Sequence, residues 1–481
     1  MNQKLIPYIR NNKITQSRLN GKIRDEKDRK LPKRNAFVLL KKYAKDFFTK
    51  GLQPRMIALS GLRGVGKTTL TWQTADYVYK NHTTQIYFIS IDDINRLNAN
   101  LYDVFNALET VLGCSLNDLN KKIMLIFDEV HEAENWQKDL KILYERSKKI
   151  FVLATGSSAL LLHSSSDLAS RWTLMKIFPF RFPEFILAKT WLINPPNQLF
   201  PPKRLAHQLK EAFFFATDYQ SVKSVILSKQ KQIEAYYQQT QNLTGINDIN
   251  TLIDEYISYH NIARFLPISN KILITERILA LFERILIKDI PQIDMEYFPI
   301  FNRVLFRLAL SDEINFQTLS KEFNIKESEI EKVINTLNQA EILNIFLPHG
   351  GVRPKTGKTV KTFFMSPSLR RALYSRIYGE KLTADLRAKL YEDTVAMYLK
   401  RILSQGIVSF GFGKKKNPDF VIETMDKPVI MEIGTGKKTS TQIKTYGNYR
   451  YGFLINTTIE KPEFDDTNHI IFIPLKWILL V

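Results

Sequence analysis

One stretch, Gly61-Leu-Arg-Gly-Val-Gly-Lys-Thr68, constrains this chain more than any other. It follows the apolar run MIALS at 56–60 and precedes a helical stretch from Leu70 to about Tyr79. A glycine-rich loop between a strand and a helix, closed by Lys-Thr, is the pattern of a phosphate-binding loop. Glycines let backbone N–H groups turn inward around phosphate oxygens, and the helix adds the positive end of its dipole. The binding residues read from this stretch are Gly61, Arg63, Gly64, Val65, Gly66, Lys67, Thr68 and Thr69. Lys67 is placed to reach the outer phosphates and Thr68 to ligate Mg²⁺.

The loop demands a sheet around it. Further strands are expected at 85–91, 122–129 and 149–158, with helices between them at 101–112 and 136–147. Strands alternating with helices predict a parallel α/β sheet, and their nearly continuous apolar runs suit strands buried on both faces. The fold class expected is therefore α/β, a P-loop three-layer parallel sheet. Ligands in such folds sit at the carboxyl ends of the strands. IMLIFDE at 123–129 puts Asp128 and Glu129 at such an end. Asp128 is assigned to Mg²⁺, and Glu129 to orienting or deprotonating the attacking water. Thr155-Gly-Ser157-Ser ends the next strand and offers Ser157 to the terminal phosphate, or serves only as a strand-to-turn cap. Arg171 reads either as an arginine finger, in cis or in trans, or as a surface arginine. Asp92 and Asp93 read as turn or capping residues. The catalytic set is thus Lys67, Asp128, Glu129 and Arg171.

LSGLRGVGKTTL, IFDEVHEAENW, LATGSSALLL, LASR and IFPFRFPEF occur in this order. Over residues 35 to 190 the chain resembles the prokaryotic AAA-like ATPases related to the STAND and archaeal ATPase groups. The resemblance implies ATP as the nucleotide. Ser170 stands where Gly is usual and Pro183 where Arg is common, which bears on Arg171 more than on nucleotide binding. The resemblance also implies a helical lid, a winged helix and a PD-(D/E)xK nuclease-like domain downstream. FFMSPSLR at 363–370 and the tail HIIFIPLKWILLV carry this part.

The residues agree with that order. The Pro-rich segment 192–202 reads as a linker, and 203–310 as mostly helical. A helix at 316–323, a turn, a longer helix and two strands joined by HGGVRPKTGKTV suggest a winged helix. Residues 407–481 return to strands around a helix near 440–447. The expected organisation is a basic arm at 1–34, the ATPase domain at 35–190, a helical lid at 191–300, a winged helix at 301–378 and the nuclease-like domain at 379–481. In the last, Glu392, Asp419 and Glu432 read as a vestigial metal site or, as the alternative, as the site of an active, ATP-controlled nuclease. Gly434 occupies the place of the family's lysine, with Lys437 or Lys438 nearby.

Charge bears on partners. The chain has 69 Lys+Arg against 48 Asp+Glu, a net +21. This excess reads as a polyanionic partner, DNA, or as the mark of a basic proteome. Between Ile342 and Gly379 stand Arg353, Lys355, Lys358, Lys361, Arg370, Arg371 and Arg376 with no acid, a set able to neutralise phosphates. A protein-binding winged helix is the alternative. Residues 1–24 hold six basic residues and no acid and are expected as an exposed arm. A single cysteine, Cys114, excludes a disulfide scaffold and fits a cytoplasmic setting. No apolar run approaches a membrane span. Oligomeric state is left open, since a finger in trans needs a neighbour.

Overall fold

The computed structural model describes residues 4–156, 171–193, 198–289, 298–311, 313–350, 359–403, 408–411, 417–424, 426–434 and 440–481. The chain divides into two compact units, Met1–Phe178 and Pro179–Val481.

The first unit is built on a five-stranded parallel sheet in the order β2-β3-β4-β1-β5. Its strands are β1 Met56–Ser60, β2 Ile86–Ser90, β3 Ile123–Asp128, β4 Ile150–Thr155 and β5 Thr173–Lys176. Every residue of β1 and β4 is buried, as both-face coverage by helices requires. Strand β1 sits between β4 and β5, so the loop that follows it emerges inside the sheet rather than at its edge.

The helices are α1 Leu5–Asn11, α2 Gln16–Ile23, α3 Ala36–Lys50, α4 Lys67–Asn81, α5 Ile91–Arg96, α6 Leu101–Leu112 and α7 Trp136–Arg146. Helix α6 opens on a reciprocal capping box between Asn100 and Asp103, and Gly113 at φ +71° ends it. Asp92 and Asp93 lie in the first turn of α5, where acids face the positive helix end, and Ser90 caps it.

The expectation that residues 1–24 form an exposed arm is corrected over the described part, 4–24. Leu5 and Ile9 of α1 are fully buried in the core of the first unit. Residues 12–14 pair with the edge of β2: the Ile14 N–H donates to Ile86 O at 2.8 Å and the Phe88 N–H to Asn12 O at 3.0 Å. Arg18 lies 5.5 Å and 5.4 Å from the ring centroids of Trp72 and Phe88. Apolar residues spaced among the basic ones win here. A segment that caps an open sheet edge removes unpaired backbone groups from water.

The second unit begins with a helical region: α8 Phe182–Ile193, α9 Tyr219–Thr244, α10 Lys271–Arg284 and α11 Phe298–Leu310 among others. Helix α8 lies in the second unit. The reason is its packing. The Phe182 N–H donates to the Tyr398 hydroxyl at 2.7 Å, and its ring stands 5.4 Å from that of Tyr256.

Helices α12 Phe316–Phe323 and α13 Glu327–Gln339 follow, with a three-stranded antiparallel sheet in the order β6-β8-β7. Its strands are β6 Glu313–Asn315, β7 Leu343–Phe346 and β8 Thr359–Phe364. Helices α14 Pro367–Tyr378 and α15 Ala384–Ile402 lead to a six-stranded mixed sheet, β13-β14-β12-β11-β10-β9. Here β11 Val429–Gly434, β12 Tyr451–Asn456 and β14 Ile470–Pro474 are parallel. The flanking β9 Val408–Ser409, β10 Phe420–Ile422 and β13 Glu463–Asp465 run antiparallel to their neighbours. Helix α16 Thr441–Tyr446 packs Ile443 against Gly452 of β12, where an added Cβ would lie 2.6 Å from the Ile443 side chain.

Candidate functional site: a phosphate loop and two acids

The loop between β1 and α4 is a backbone construction. Gly61, Gly64 and Gly66 have φ of +144°, +83° and +99°, a region closed to most side chains. At Gly61 the demand is absolute: an added Cβ would lie 2.2 Å from the carbonyl oxygen of Ile177. Gly66 ends the loop as the N-cap of α4, so Lys67 and Thr68 occupy the first helical positions. Their N–H groups are among those a helix start leaves without an internal partner. Lys67 is buried, and its Nζ donates to Gly61 O at 2.6 Å. The ammonium is folded over the loop it would serve.

Strand β3 delivers Asp128 and β4 delivers Thr155 to the same end of the sheet. The Thr155 hydroxyl donates to Asp128 Oδ1 at 2.6 Å and accepts the Glu129 N–H at 3.1 Å. Glu129 takes a left-handed conformation, φ +55°, which turns its side chain off the strand line. Its Oε1 lies 3.8 Å from Nη1 of Arg63, and Arg63 Nη2 lies 3.9 Å from Glu132 Oε1. Burial pushes the Asp128 carboxyl above its ordinary range; the Thr155 hydroxyl bond and the Lys67 ammonium oppose that, and the Glu129 charge adds to it. A carboxylate in that state gains from a cation placed beside it.

The structure therefore gathers Gly61, Arg63, Gly64, Val65, Gly66, Lys67, Thr68, Thr69, Asp128 and Glu129 at the carboxyl ends of β1 and β3. Ser157 lies outside the described residues. Arg171 is not brought to the site. It precedes β5, at the opposite end of the sheet, and its Nη2 is 3.1 Å from Glu145 Oε1. It shares a cleft with Gly51, Gln53, Arg55, Tyr144 and Lys148.

Arg34 was missed. Its Nη1 donates to Val65 O at 2.5 Å and its Nη2 to Phe178 O at 3.0 Å, bracing the loop from outside. No spacing rule points from a basic leader to a loop thirty residues on, and only the docking of 12–34 reveals it.

In the second unit Glu392, Asp419 and Glu432 are close neighbours. The Asp419 N–H donates to Glu432 Oε2 at 3.2 Å, and Asp419 and Glu392 share Lys361. Among the described residues no group of three His, Cys, Asp or Glu side chains is arranged to hold a metal ion. Lys437 and Lys438 lie outside the described residues.

Four of the seven basic residues between Ile342 and Gly379 are described, and all four meet acids or hydroxyls of the chain itself. Arg370 is fully buried, with Nε 2.6 Å from Asp393 Oδ2 and Nη2 2.9 Å from Asp393 Oδ1. Arg371 is buried too, bonded to the Tyr259 hydroxyl and to Glu380. Lys361 is paired with acids, and exposed Arg376 meets Glu283 at 3.1 Å. Arg353, Lys355 and Lys358 lie outside the described residues. Sequence spacing could not distinguish these uses, because an arginine that neutralises a buried aspartate reads the same as one that meets phosphate.

The fold and the loop define the class. An AAA domain family model matches residues 53–186, and this part of the chain is an AAA-type P-loop domain. Over its length the chain is similar to the protein MJ1637 of Methanocaldococcus jannaschii, 28% identical across 449 residues, covering 91% of this chain and 87% of that one. Among solved structures, Thermotoga maritima RuvB, a Holliday junction branch migration motor, aligns with 65% of this chain and 89% of its own at 18% identity and a TM-score of 0.28. The Aeropyrum pernix ORC1 protein in complex with DNA aligns with 72% and 93% at 12% identity and a TM-score of 0.30. Among the described residues no helix is long and apolar enough to cross a membrane.

Proposed function

We propose that the chain is an ATP-hydrolysing switch. The observation that carries this is the meeting of Lys67, Asp128, Thr155 and Glu129 at one end of the sheet. Loop N–H groups and Lys67 bind the phosphates. Thr68 and Asp128 are the residues that would hold Mg²⁺; a hydroxyl and a partly buried carboxylate suit a hard cation, which supplies charge neutralisation on the phosphates. Glu129 orients a water for attack on the γ-phosphorus and takes up its proton, while the bond to the bridging oxygen breaks to leave ADP and phosphate. Arg63 reaches from the loop toward Glu129, so phosphate binding competes for its guanidinium and frees the acid. Ser157 and Arg171 are proposed only as sensor and, from a neighbouring copy, finger; the latter requires an oligomer.

The second unit reads out the nucleotide state. We take its middle as a winged helix and its last part as a non-catalytic nuclease-like domain, with DNA as the partner. The net charge of +21 supports DNA. A protein partner is the second reading, favoured by the engagement of Arg370, Arg371 and Lys361 within the fold. The deciding measurement is steady-state ATP turnover with and without duplex DNA at physiological salt, with Lys67→Ala as the control. Stimulation by DNA supports the first reading. Turnover indifferent to DNA supports the second, and turnover unchanged in Lys67→Ala overturns both.

A further inference from the structure

The carboxylate cluster of the second unit carries its own cation. Lys361 projects from β8, where its backbone is held between Glu313 of β6 and Phe346 of β7. Its Nζ lies 3.1 Å from Asp419 Oδ1 and 3.3 Å from Glu392 Oε2. The lysine, Glu392 and Asp419 side chains are 13%, 16% and 14% exposed. Asp419 Oδ2 accepts the Ile433 N–H at 2.9 Å, and Glu432 is 1% exposed. The ammonium also lies 5.2 Å and 6.0 Å from the ring centroids of Phe363 and Phe420, which border its path.

We propose that Lys361 is the resident cation of this cluster, and that the cluster takes an ammonium in place of a divalent metal. Three carboxylates this sheltered need positive charge among them, since unpaired buried charge is costly. The ammonium meets that need at hydrogen-bonding distance and from a backbone fixed on both sides. Mg²⁺ demands several oxygens at about 2.0–2.1 Å in octahedral array and would sit against the lysine's like charge. The same contact fastens the three-stranded sheet to the six-stranded one, beside the ring contact of Phe363 and Phe420 at 5.1 Å. The residues thus disagree with the metal site that the nuclease-like resemblance implies. The disagreement does not depend on the ATPase reading, and the test below is independent of turnover.

The test uses the full chain without nucleotide, carrying Asp128→Asn to remove the acid assigned to Mg²⁺ in the first unit. Mn²⁺ is titrated calorimetrically, and thermal unfolding of the second unit is followed in parallel. The expected result is no Mn²⁺ binding that depends on Glu432, a melting temperature lowered by roughly 5–10 °C in Lys361→Met, and recovery of most of that loss in Lys361→Arg. Mn²⁺ binding that disappears on Glu432→Gln overturns the proposal, because metal and lysine then coexist. A Lys361→Met chain that melts with its parent overturns it as well. Should Lys361→Met fail to fold, the Glu432→Gln titration still decides.

Discussion

The Thr155 hydroxyl donates to Asp128 across neighbouring strands at 2.6 Å, and the same oxygen receives the backbone N–H of Glu129. One hydroxyl thereby sets the position of both acids. Threonine suits the place because its β-branched side chain also fits a fully buried strand. Thr155→Val keeps the shape and removes the bond. Turnover is expected to fall by about tenfold or more, with a stability loss of about 1 kcal/mol. Full activity in this variant would show that the acids are positioned without it.

Asp128 gives a pH dependence with a definite sign. Its carboxyl is pushed up by burial, so the nucleotide-free fold binds its proton more tightly than the unfolded chain does. Its contribution to stability is present below the ordinary carboxylate range and is lost as pH rises through the raised value. Asp128→Asn is therefore expected to raise the melting temperature of the nucleotide-free protein at neutral pH and to flatten that pH dependence, while abolishing Mg²⁺-dependent turnover. Melts across the acidic to neutral range check this.

Glu129→Gln is expected to retain ATP binding and to lose hydrolysis by roughly 10²–10⁴-fold, the usual worth of a general base. Binding by calorimetry and phosphate release by a coupled assay separate the two. Unchanged release would assign the base elsewhere.

Gly61→Ala tests the loop as backbone. Its new methyl would meet the Ile177 carbonyl at 2.2 Å, and φ +144° is strained for alanine. Lower stability and lost nucleotide affinity are expected together, whereas Lys67→Ala should lose turnover while remaining folded by circular dichroism.

Arg370→Met separates a core arginine from a DNA contact. Breaking its pair with Asp393, both side chains fully buried, should cost about 3–5 kcal/mol. A variant of native stability whose defect is confined to DNA affinity would contradict the buried assignment.

The phosphate loop, the two acids at the carboxyl end of β3 and the strand–helix alternation of the first unit were legible in the sequence. These are local facts: a glycine pattern, an apolar run and its terminal acids sit within a few residues, and their geometry follows from backbone sterics. Most helices and strands downstream were legible for the same reason. Which basic residues are engaged within the fold followed only from long-range contacts. Arg370, Arg371 and Lys361 look alike in a charge count, yet folding buries two and pairs the third with acids more than thirty residues away. The tertiary structure also decided that residues 12–14 pair with the edge of β2, that Arg34 braces the loop, and that Arg171 stands at the far end of the sheet. Desolvation and ion pairing depend on what the chain brings together from a distance, and no local pattern encodes that.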